Sequence, residues 1–409
     1  MISFKNAFEI LFSQSLKLKT QQTPLFEATG KILAQDIFTS RNLPAFSNSA
    51  MDGYAIASIE SSYKIQGNLL AGDHSIPTIL PNHCIKIMTG AKIPPNTIAV
   101  IPFEHIQTQD SYIIPLFPIK EGQNIKYCGE DYCIGNPLLK QGEQLNYASL
   151  ALLASQGIST VPTYQSLQIG IFASGNEIKE PWEEAQDFHT FNTNAIAYHA
   201  ILRDLGFQSQ YLGILPDDKQ ELIGRIKDID QYDIVITSGG ASVGEADFFE
   251  EALQTLGAEI LFHGINLKPG RPMLCAKYHD TLIFSLPGNP LSGILNLISL
   301  VLPTLFKLSG SLSYFTQGLC AKHKGEVHFK GQRSHIVLGT FDGKFFIPFQ
   351  KGKYGSGSLK PLQASNALAI FDESVSTIYD NQDIYIISIP PLFTNLKNTI
   401  FNNSDKMKA

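Results

Sequence analysis

The chain of 409 residues lacks the features that mark several classes of protein. It has no dense run of lysine and arginine, and its formal net charge is -6, so it offers no basic footprint for a nucleic-acid backbone. We therefore expect no nucleic-acid partner. An anionic small molecule is compatible with this charge, because helix N-termini and a few local donors bind anions whatever the overall charge.

Cysteine is also scarce: there are five, an odd number without paired C-x-x-C spacing. This pattern argues against both a disulfide framework and a zinc site, and favours a reducing compartment. Two ordinary thiols explain Cys128 and Cys133 better than a redox pair does. The N-terminal segment carries charges inside its apolar pattern, so we expect no secretory leader and a cytoplasmic location.

Long uninterrupted apolar runs are missing as well. The most apolar long segment, Leu291 to Leu308, is broken by Asn296, Ser299 and Pro303. This pattern predicts a buried helix rather than a membrane span, so we expect no membrane partner.

With 44% apolar residues, the chain can bury sizeable cores, and its length favours several domains. The predicted regions are a helical connector of residues 1–35 and 132–165, a β-rich module over 36–131, an α/β domain over 166–308, a C-terminal β-barrel over 309–393 and a polar tail over 394–409. Strand-like and helix-like segments alternate within 166–308, which predicts a doubly wound, mainly parallel sheet.

Ligands of such a sheet bind at the carboxyl ends of its strands. The loop Ser238 to Gly244 follows one predicted strand and has glycines that let amide groups turn toward a phosphate or another oxyanion. Pro287-Gly288-Asn289-Pro290 follows another, with Asn289 as N-cap and Pro290 in the first helical turn, which would leave amide donors free. Two anion sites at one edge indicate a ligand with several phosphates.

Charged residues occupy the same predicted edge. A bend at Pro269-Gly270 would bring Lys268 and Arg271 onto one side, where a tetrahedral oxyanion could bind. The carboxylates Glu177, Asp217 and Asp247 are the natural ligands of a Mg²⁺ ion that neutralises phosphate. Each feature also has an ordinary explanation, such as loop geometry, helix capping or a solvated charge, so their convergence carries the hypothesis.

Three strings together resemble the MoeA family of molybdopterin molybdotransferases, which is related to the E domain of gephyrin. They are Thr237-Ser238-Gly239-Gly240-Ala241-Ser242-Val243-Gly244-Glu245-Ala246-Asp247, Lys268-Pro269-Gly270-Arg271-Pro272 and Leu286-Pro287-Gly288-Asn289-Pro290. Asn48-Ser49-Ala50-Met51-Asp52-Gly53-Tyr54-Ala55, Ile87-Met88-Thr89-Gly90-Ala91 and Gly129-Glu130-Asp131 resemble signatures of the family's N-terminal half.

The resemblance implies an elongated, four-domain homodimer that inserts molybdate into adenylylated molybdopterin with Mg²⁺ and releases AMP. It implies small-molecule substrates, and it makes the molybdopterin adenylyltransferase and molybdoenzyme chaperones candidate protein partners. The implied catalytic residues are Asp247, Glu177, Asp217, Asp52, Thr89 and Asp131, of which Asp247, Glu177 and Asp217 would hold the metal. The implied substrate-binding residues are Ser238, Gly239, Gly240, Ser242, Lys268, Gly270, Arg271, Pro287, Gly288, Asn289, Pro290, Ser292 and Ser358.

Three positions depart from the family pattern. Arg271 stands where lysine is common, and Asn176 stands where many members have aspartate. Leu338 occupies the place in the barrel where an arginine is usual. Two other functions fit parts of the pattern: an adenylyltransferase, which shares the Gly-Gly and Pro-Gly-Asn-Pro loops but is about one domain long, and a scaffold of the gephyrin E-domain type, which could dispense with the carboxylates.

Overall fold

The computed structural model describes residues 1–240 and 246–389, and within these the side chains of Ala246 and Asp247 are not described. Ser242, the last residues of the predicted barrel and the predicted polar tail 394–409 therefore lie outside the described residues. The described chain forms a helical connector, a β-rich module, an α/β unit and a C-terminal barrel.

The connector is built where residues 14–39 meet residues 137–164. Strand Thr20–Pro24 pairs antiparallel with Thr160–Tyr164, and Ile37–Phe38 pairs with Pro137–Leu139. Helix Tyr147–Ser155 begins at a capping box, in which Asn146 Oδ1 accepts from the backbone N–H of Ser149 and Ser149 Oγ accepts from that of Asn146. A short 3₁₀ turn covers Leu25–Glu27.

The β-rich module is a six-stranded sheet. In spatial order its strands are Ala99–Pro102, Gly53–Ile56, His83–Ile87, Tyr63–Leu69, Tyr112–Pro115 and Ile106–Gln109. A smaller pair joins Asn48–Ser49 to Ile125–Lys126, and a 3₁₀ turn covers Phe103–His105. Apolar β-branched side chains from both faces of the sheet are buried, which explains the short, strongly apolar strands of this region.

The α/β unit confirms the predicted doubly wound sheet. Its strands, in spatial order, are Ser209–Leu215, Ile169–Ser174, Ile234–Ser238, Thr281–Leu286, Leu274–Tyr278 and Glu259–His263. The first four are mutually parallel, and Leu274–Tyr278 pairs antiparallel with both of its neighbours, so the sheet is mainly parallel. Its helices are Asn194–Asp204, Lys219–Ile226, Ala246–Thr255 and the long helical run from Pro290–Asn296 through Leu297–Val301 to Leu302–Leu308, and a 3₁₀ turn covers Ile229–Gln231.

The N-terminal helix Phe4–Ser13 packs into the core of this unit: Ala7 and Leu11 are buried among residues of the sheet and of the long helical run. That run, Pro290–Leu308, is long and apolar enough to cross a membrane, but 83% of it is buried in the protein. It is therefore a core helix, as the breaks at Asn296, Ser299 and Pro303 indicate.

The C-terminal barrel is also confirmed. Each of its five strands pairs with two neighbours, which closes the ring. The strands are Gly318–His323, Phe345–Pro348, Ser334–Phe341, Ala367–Phe371 and Asp383–Ser388. The other elements of the region are the strand pair Val327–His328 and Thr377–Ile378, the turn Phe349–Gly352 and helix Lys360–Gln363.

A two-residue strand ties the barrel to the α/β unit. Leu267–Lys268 pairs parallel with Ser334 and His335 of the barrel. The backbone of Lys268 is thereby held between the two units, which positions the predicted cationic loop at their junction.

Candidate functional site

Two cavities lie side by side at the carboxyl edge of the parallel strands. The smaller, which we call the loop cavity, has a volume of about 350 Å³. The larger, the cationic cavity, has a volume of about 970 Å³ and lies between the α/β unit and the barrel. Asn289 and Pro272 line both, so the two cavities meet there.

The loop cavity contains most of the predicted anion-binding loops. The described residues of those loops that line it are Ser238, Gly239, Gly240, Pro287, Gly288, Asn289 and Pro290. Gly239 has a φ of +100°, and a Cβ there would lie 3.0 Å from the backbone oxygen of Ser174. Only glycine fits this turn without strain, as the sequence indicated.

Buried polar contacts join the two loops. Asn194 is 5% exposed, and its Nδ2 donates to Ser238 Oγ at 2.6 Å and to the backbone oxygen of Gly288 at 2.8 Å. Ser285 Oγ donates to the backbone oxygen of Gly239 at 3.0 Å. The loops are therefore fixed relative to each other before a ligand arrives.

A second polar cluster supports the wall of the loop cavity. Glu180 is 8% exposed and accepts hydrogen bonds from Tyr211 Oη and from Asn192 Nδ2, the latter at 3.3 Å. Burial, and then the contact with Glu180, raises the pKa of the Tyr211 hydroxyl. Asn192 lines the cavity, and its Oδ1 accepts from the backbone N–H of Ala195 at 3.2 Å. Helix Asn194–Asp204 begins two residues after Asn192, with Thr193 at its N-cap position.

The helix that starts at Pro290 differs in one respect from the expectation. Asn289 occupies the N-cap position, but its side chain makes no capping hydrogen bond. The backbone N–H of Ser292 donates to the backbone oxygen of Ser356 at 3.3 Å. The barrel loop therefore takes one of the amide donors that we expected to be free, because the barrel packs directly on this helix end.

The cationic cavity brings Lys268 and Arg271 together, and Gly270 and Ser292 also line it. Further basic residues come from the barrel: Lys330, Arg333, Lys351 and Lys353, with the imidazoles of His328 and His335. Among the described residues of its lining, Glu326 is the one carboxylate. This excess of positive charge suits an anionic ligand.

The pKa of His335 is affected by burial and by the positive charge of this cavity. It is 6% exposed and stacks on Phe329, with ring centroids 4.3 Å apart. Burial, reinforced by Lys268 and Arg333, lowers the pKa of its imidazole to about 4. The imidazole is therefore neutral at physiological pH, since neighbouring cations oppose a further charge.

The predicted metal-holding carboxylates are only partly described. Glu177 is exposed and lines the loop cavity, with its carboxylate folded over Gly175. Asp217 Oδ2 accepts from the backbone N–H of Asn176 at 2.9 Å, so it is tied to the same loop, although it does not line the cavity. The side chain of Asp247 lies outside the described residues, and the rest of the described chain contains no cluster of three metal-binding side chains.

The remaining predicted residues lie elsewhere. Thr89 donates to Asp52 Oδ1 from its backbone N–H and from its hydroxyl, both at 2.7 Å, and these bonds lower the pKa of Asp52. Asp131 is exposed in a loop of the chain that follows the β-rich module. These three residues line neither cavity. Ser358 does not line them either; Ser356, two residues earlier, lines the cationic cavity instead.

Sequence reasoning missed three contributors to the site: Asn194, the Glu180 cluster and His335. Asn194 had the best available signal, because two asparagines, Asn192 and Asn194, lie where a helix begins after a short strand. The hydrogen-bond partners of Glu180, and Lys268 beside His335, are distant in sequence, so no local pattern indicates these contacts.

Comparison with known proteins agrees with this architecture. Residues 2–157 match the family model described as MoeA N-terminal region (domain I and II), and residues 170–307 match the one described as probable molybdopterin binding domain. A molybdopterin molybdenumtransferase of Haemophilus influenzae is 38% identical over 298 residues, which cover 71% of this chain and 74% of that protein. One of a Nostoc species is 28% identical over 411 residues, covering 95% and 94%.

A solved structure is similar as well. The crystal structure of the molybdopterin biosynthesis moeA protein from Pyrococcus horikoshii OT3 superposes with a TM-score of 0.82 at 27% identity, covering 95% of this chain and all of that one. The likeness extends through the barrel, which both family models leave out. The chain belongs to the MoeA family.

Proposed function

We propose that this chain is a molybdopterin molybdenumtransferase, which inserts molybdate into molybdopterin at the end of molybdenum cofactor assembly. The observation that carries the proposal is the junction of the two cavities at Asn289 and Pro272. One cavity is lined by glycine loops at strand ends and the other by basic side chains. A phosphorylated pterin and a small oxyanion can therefore bind next to each other.

The loop cavity is the proposed site of adenylylated molybdopterin. Loops with Gly240 on one side and Gly288 on the other lie at this sheet edge, where backbone amides would stabilise a phosphoanhydride. The N–H of Gly239 is not among these donors, because it donates to the backbone oxygen of Leu286 at 2.9 Å. Asn194 holds the two loops together, so these donors do not need to be ordered when the substrate binds. Release of AMP from that phosphoanhydride would accompany insertion.

The cationic cavity is the proposed site of the second substrate, molybdate. Lys268 and Arg271 supply two positive charges opposite a dianion, and the hydroxyl of Ser292 adds a neutral donor. Arg271 in place of the lysine common in the family keeps the charge and offers a planar pair of donors. Ser242, outside the described residues, and Ser358 complete the proposed set.

A Mg²⁺ ion fits the proposed chemistry of this edge. Glu177 and Asp217 offer carboxylate oxygens, the ligands that Mg²⁺ prefers, on one loop system beside the proposed phosphate site. With Asp247 they are the proposed ligand set. When bound, the ion would neutralise phosphate charge as the phosphoanhydride is cleaved.

We also propose a cytoplasmic homodimer. Asp52 and Thr89 form a preordered, accessible pair, and Asp131 is exposed, yet none of the three lines the loop cavity or the cationic cavity. In a dimer, a second copy could present these residues to the loop cavity of the first. A role in that cavity would explain why Thr89 holds the carboxylate of Asp52 in a fixed position. The adenylyltransferase that makes the substrate and molybdoenzyme chaperones are the proposed protein partners.

A single-turnover assay tests the function. Purified protein is mixed with adenylylated molybdopterin, molybdate and Mg²⁺, and the release of AMP and the formation of the molybdenum cofactor are followed together. We expect both products to form at the same rate, and no adenylylation of molybdopterin when ATP replaces the adenylylated substrate. Formation of the adenylylated pterin from ATP would assign the chain to the preceding step.

The variant Asp247→Asn adds a test of the metal-holding role. We expect it to bind the adenylylated substrate but to release AMP at less than about a hundredth of the wild-type rate, because a charge that holds the metal is lost. Unchanged turnover would remove Asp247 from the mechanism.

A further inference from the structure

A buried carboxamide lies directly beneath the loop that carries Lys268 and Arg271. Asn296 is fully buried, and its Nδ2 donates to the backbone oxygen of Gly270 at 2.9 Å. A Cβ at Gly270 would lie 2.0 Å from Asn296 Oδ1, and the φ of Gly270 is +111°. Any side chain at position 270 would therefore collide with the amide of Asn296, so the close contact between the loop and the amide requires glycine.

The other contacts of this loop hold its two ends. The backbone N–H of Ile265 donates to the backbone oxygen of Arg271 at 3.0 Å, and Leu267–Lys268 pairs with the barrel. Asn296 holds the apex, between the two cationic residues. A shift of the apex would change the separation of the two charged side chains, because they flank it in sequence.

The same helix carries the other part of the site. Asn289 and Ser292 lie at its start and line the cationic cavity, and Asn296 follows Asn289 by about two turns, roughly 10 Å along the axis. The intervening residues Leu291, Ile294 and Leu295 are buried in the core. One rigid element therefore sets the helix start and the cationic loop relative to each other.

We infer that Asn296 is a positioning residue for molybdate, which fixes Lys268 and Arg271 in relation to the start of the helix. This inference rests on the proposed function of the site. Asn296 lines neither cavity, so it acts through Gly270 and not by contact with a substrate. Its Oδ1 has no partner among the described residues, which is costly in a helix core, so packing alone does not account for an asparagine here.

Two variants test the inference. Asn296→Leu keeps the branched shape and the number of heavy atoms of the side chain but removes the donor to Gly270, and Asn296→Ser keeps a shorter donor. Ser299→Ala is the matched control, since it removes a buried, unpartnered hydroxyl from the same helical run. Molybdate alone is titrated by calorimetry, and the half-saturating molybdate concentration and the KM of adenylylated molybdopterin are measured in turnover.

We expect Asn296→Leu to weaken molybdate binding about tenfold, equivalent to about 1.4 kcal/mol. The molybdate affinity of Asn296→Ser should lie between those of Asn296→Leu and the wild type. In both variants the KM of adenylylated molybdopterin should change less than twofold. Ser299→Ala should match the wild type in both quantities. Molybdate binding that is unchanged in the Asn296 variants, or a parallel loss of both substrates, would overturn the inference. If the wild type binds molybdate but forms no cofactor, the proposed function is wrong. The calorimetric comparison of the variants would still show whether Asn296 contributes to molybdate binding.

Discussion

The Nδ2 of Asn194 lies 2.6 Å from the Oγ of Ser238, and both residues are buried at the edge of the loop cavity. Asn194 belongs to the first turn of a helix, whereas Ser238 ends the central strand that precedes the Gly-Gly turn. Since the same amide also reaches Gly288, one side chain connects three elements of the sheet edge. The order of the proposed phosphate site therefore depends on Asn194, whether or not its side chain contacts a phosphate.

Replacing Asn194 with leucine should loosen both loops. We expect the KM of adenylylated molybdopterin to rise about tenfold or more and the free energy of unfolding to fall by about 1 to 3 kcal/mol, because Ser238 would lose a buried partner. Steady-state kinetics and urea denaturation measure the two effects.

Asn96→Ala provides the matched control for Asn194. The Asn96 amide exchanges two hydrogen bonds with the backbone of Ile79 in the β-rich module, at 3.2 and 2.9 Å. Its loss should destabilise the protein similarly and leave the KM unchanged. Equal KM values in the two variants would show that Asn194 has no particular role in the site.

The sequence predicted the doubly wound sheet because its strands are short, apolar runs that alternate with capped helices. Sequence-local signals were enough for this: a glycine turn directly after Ser238, and proline in the first turn of the helix that follows Asn289. The antiparallel direction of strand Leu274–Tyr278 also has a local cause: only His279 and Asp280 separate it from Thr281–Leu286, and a two-residue loop forms a hairpin but cannot span a parallel crossover.

The candidate site was only partly predictable from sequence, for a physical reason. Lys268 and Arg271 could be placed on one side of a bend, because only Pro269 and Gly270 lie between them. The basic side chains of the barrel could not be placed there, because a pairing between Lys268 and His335, far apart along the chain, brings the two units together. Long-range contacts of this kind leave no local pattern.

Adjacent carboxylates allow a sharp test of the proposed metal ligands. Asp217→Asn keeps an oxygen that can accept from the N–H of Asn176, so the loop should stay in place while one negative charge is lost. We expect the half-saturating Mg²⁺ concentration for AMP release to rise about tenfold or more, because Mg²⁺ binds carboxylates far better than amides. A titration of turnover with Mg²⁺ measures this.

Asp218→Asn is the control for Asp217. Asp218 caps helix Lys219–Ile226 by accepting from the N–H of Glu221 at 2.9 Å, and asparagine caps equally well. This variant should keep the wild-type Mg²⁺ dependence and stability. If both variants respond alike, general surface charge and not a metal ligand accounts for the effect.

The two cations of the loop should differ from other surface cations in their effect on molybdate. We expect Lys268→Met and Arg271→Met each to raise the half-saturating molybdate concentration about tenfold to a hundredfold, and Arg271→Lys to restore most of the affinity because it keeps the charge. Lys322→Met, which removes an exposed ion pair with Asp383, should have no effect. Identical behaviour of Lys322→Met and Lys268→Met would contradict a specific molybdate site.

The buried imidazole of His335 should make stability depend on pH. Its folded pKa of about 4 lies below the ordinary value of 6.5, so the unfolded chain binds the additional proton throughout the interval between them. The stabilisation is therefore fully present above about pH 6.5 and is lost progressively as the pH falls towards 4. We expect the free energy of unfolding of the wild type to fall by up to about 3 kcal/mol more than that of His335→Phe between about pH 7 and pH 4, as measured by urea denaturation.

The choice of variants isolates the titration of His335. Phenylalanine keeps the stacking on Phe329 and removes the titration. His328→Gln, at an exposed imidazole of the same cavity, should keep the wild-type dependence of stability on pH. If His335→Phe shows the same pH dependence as the wild type, another group causes the acid sensitivity.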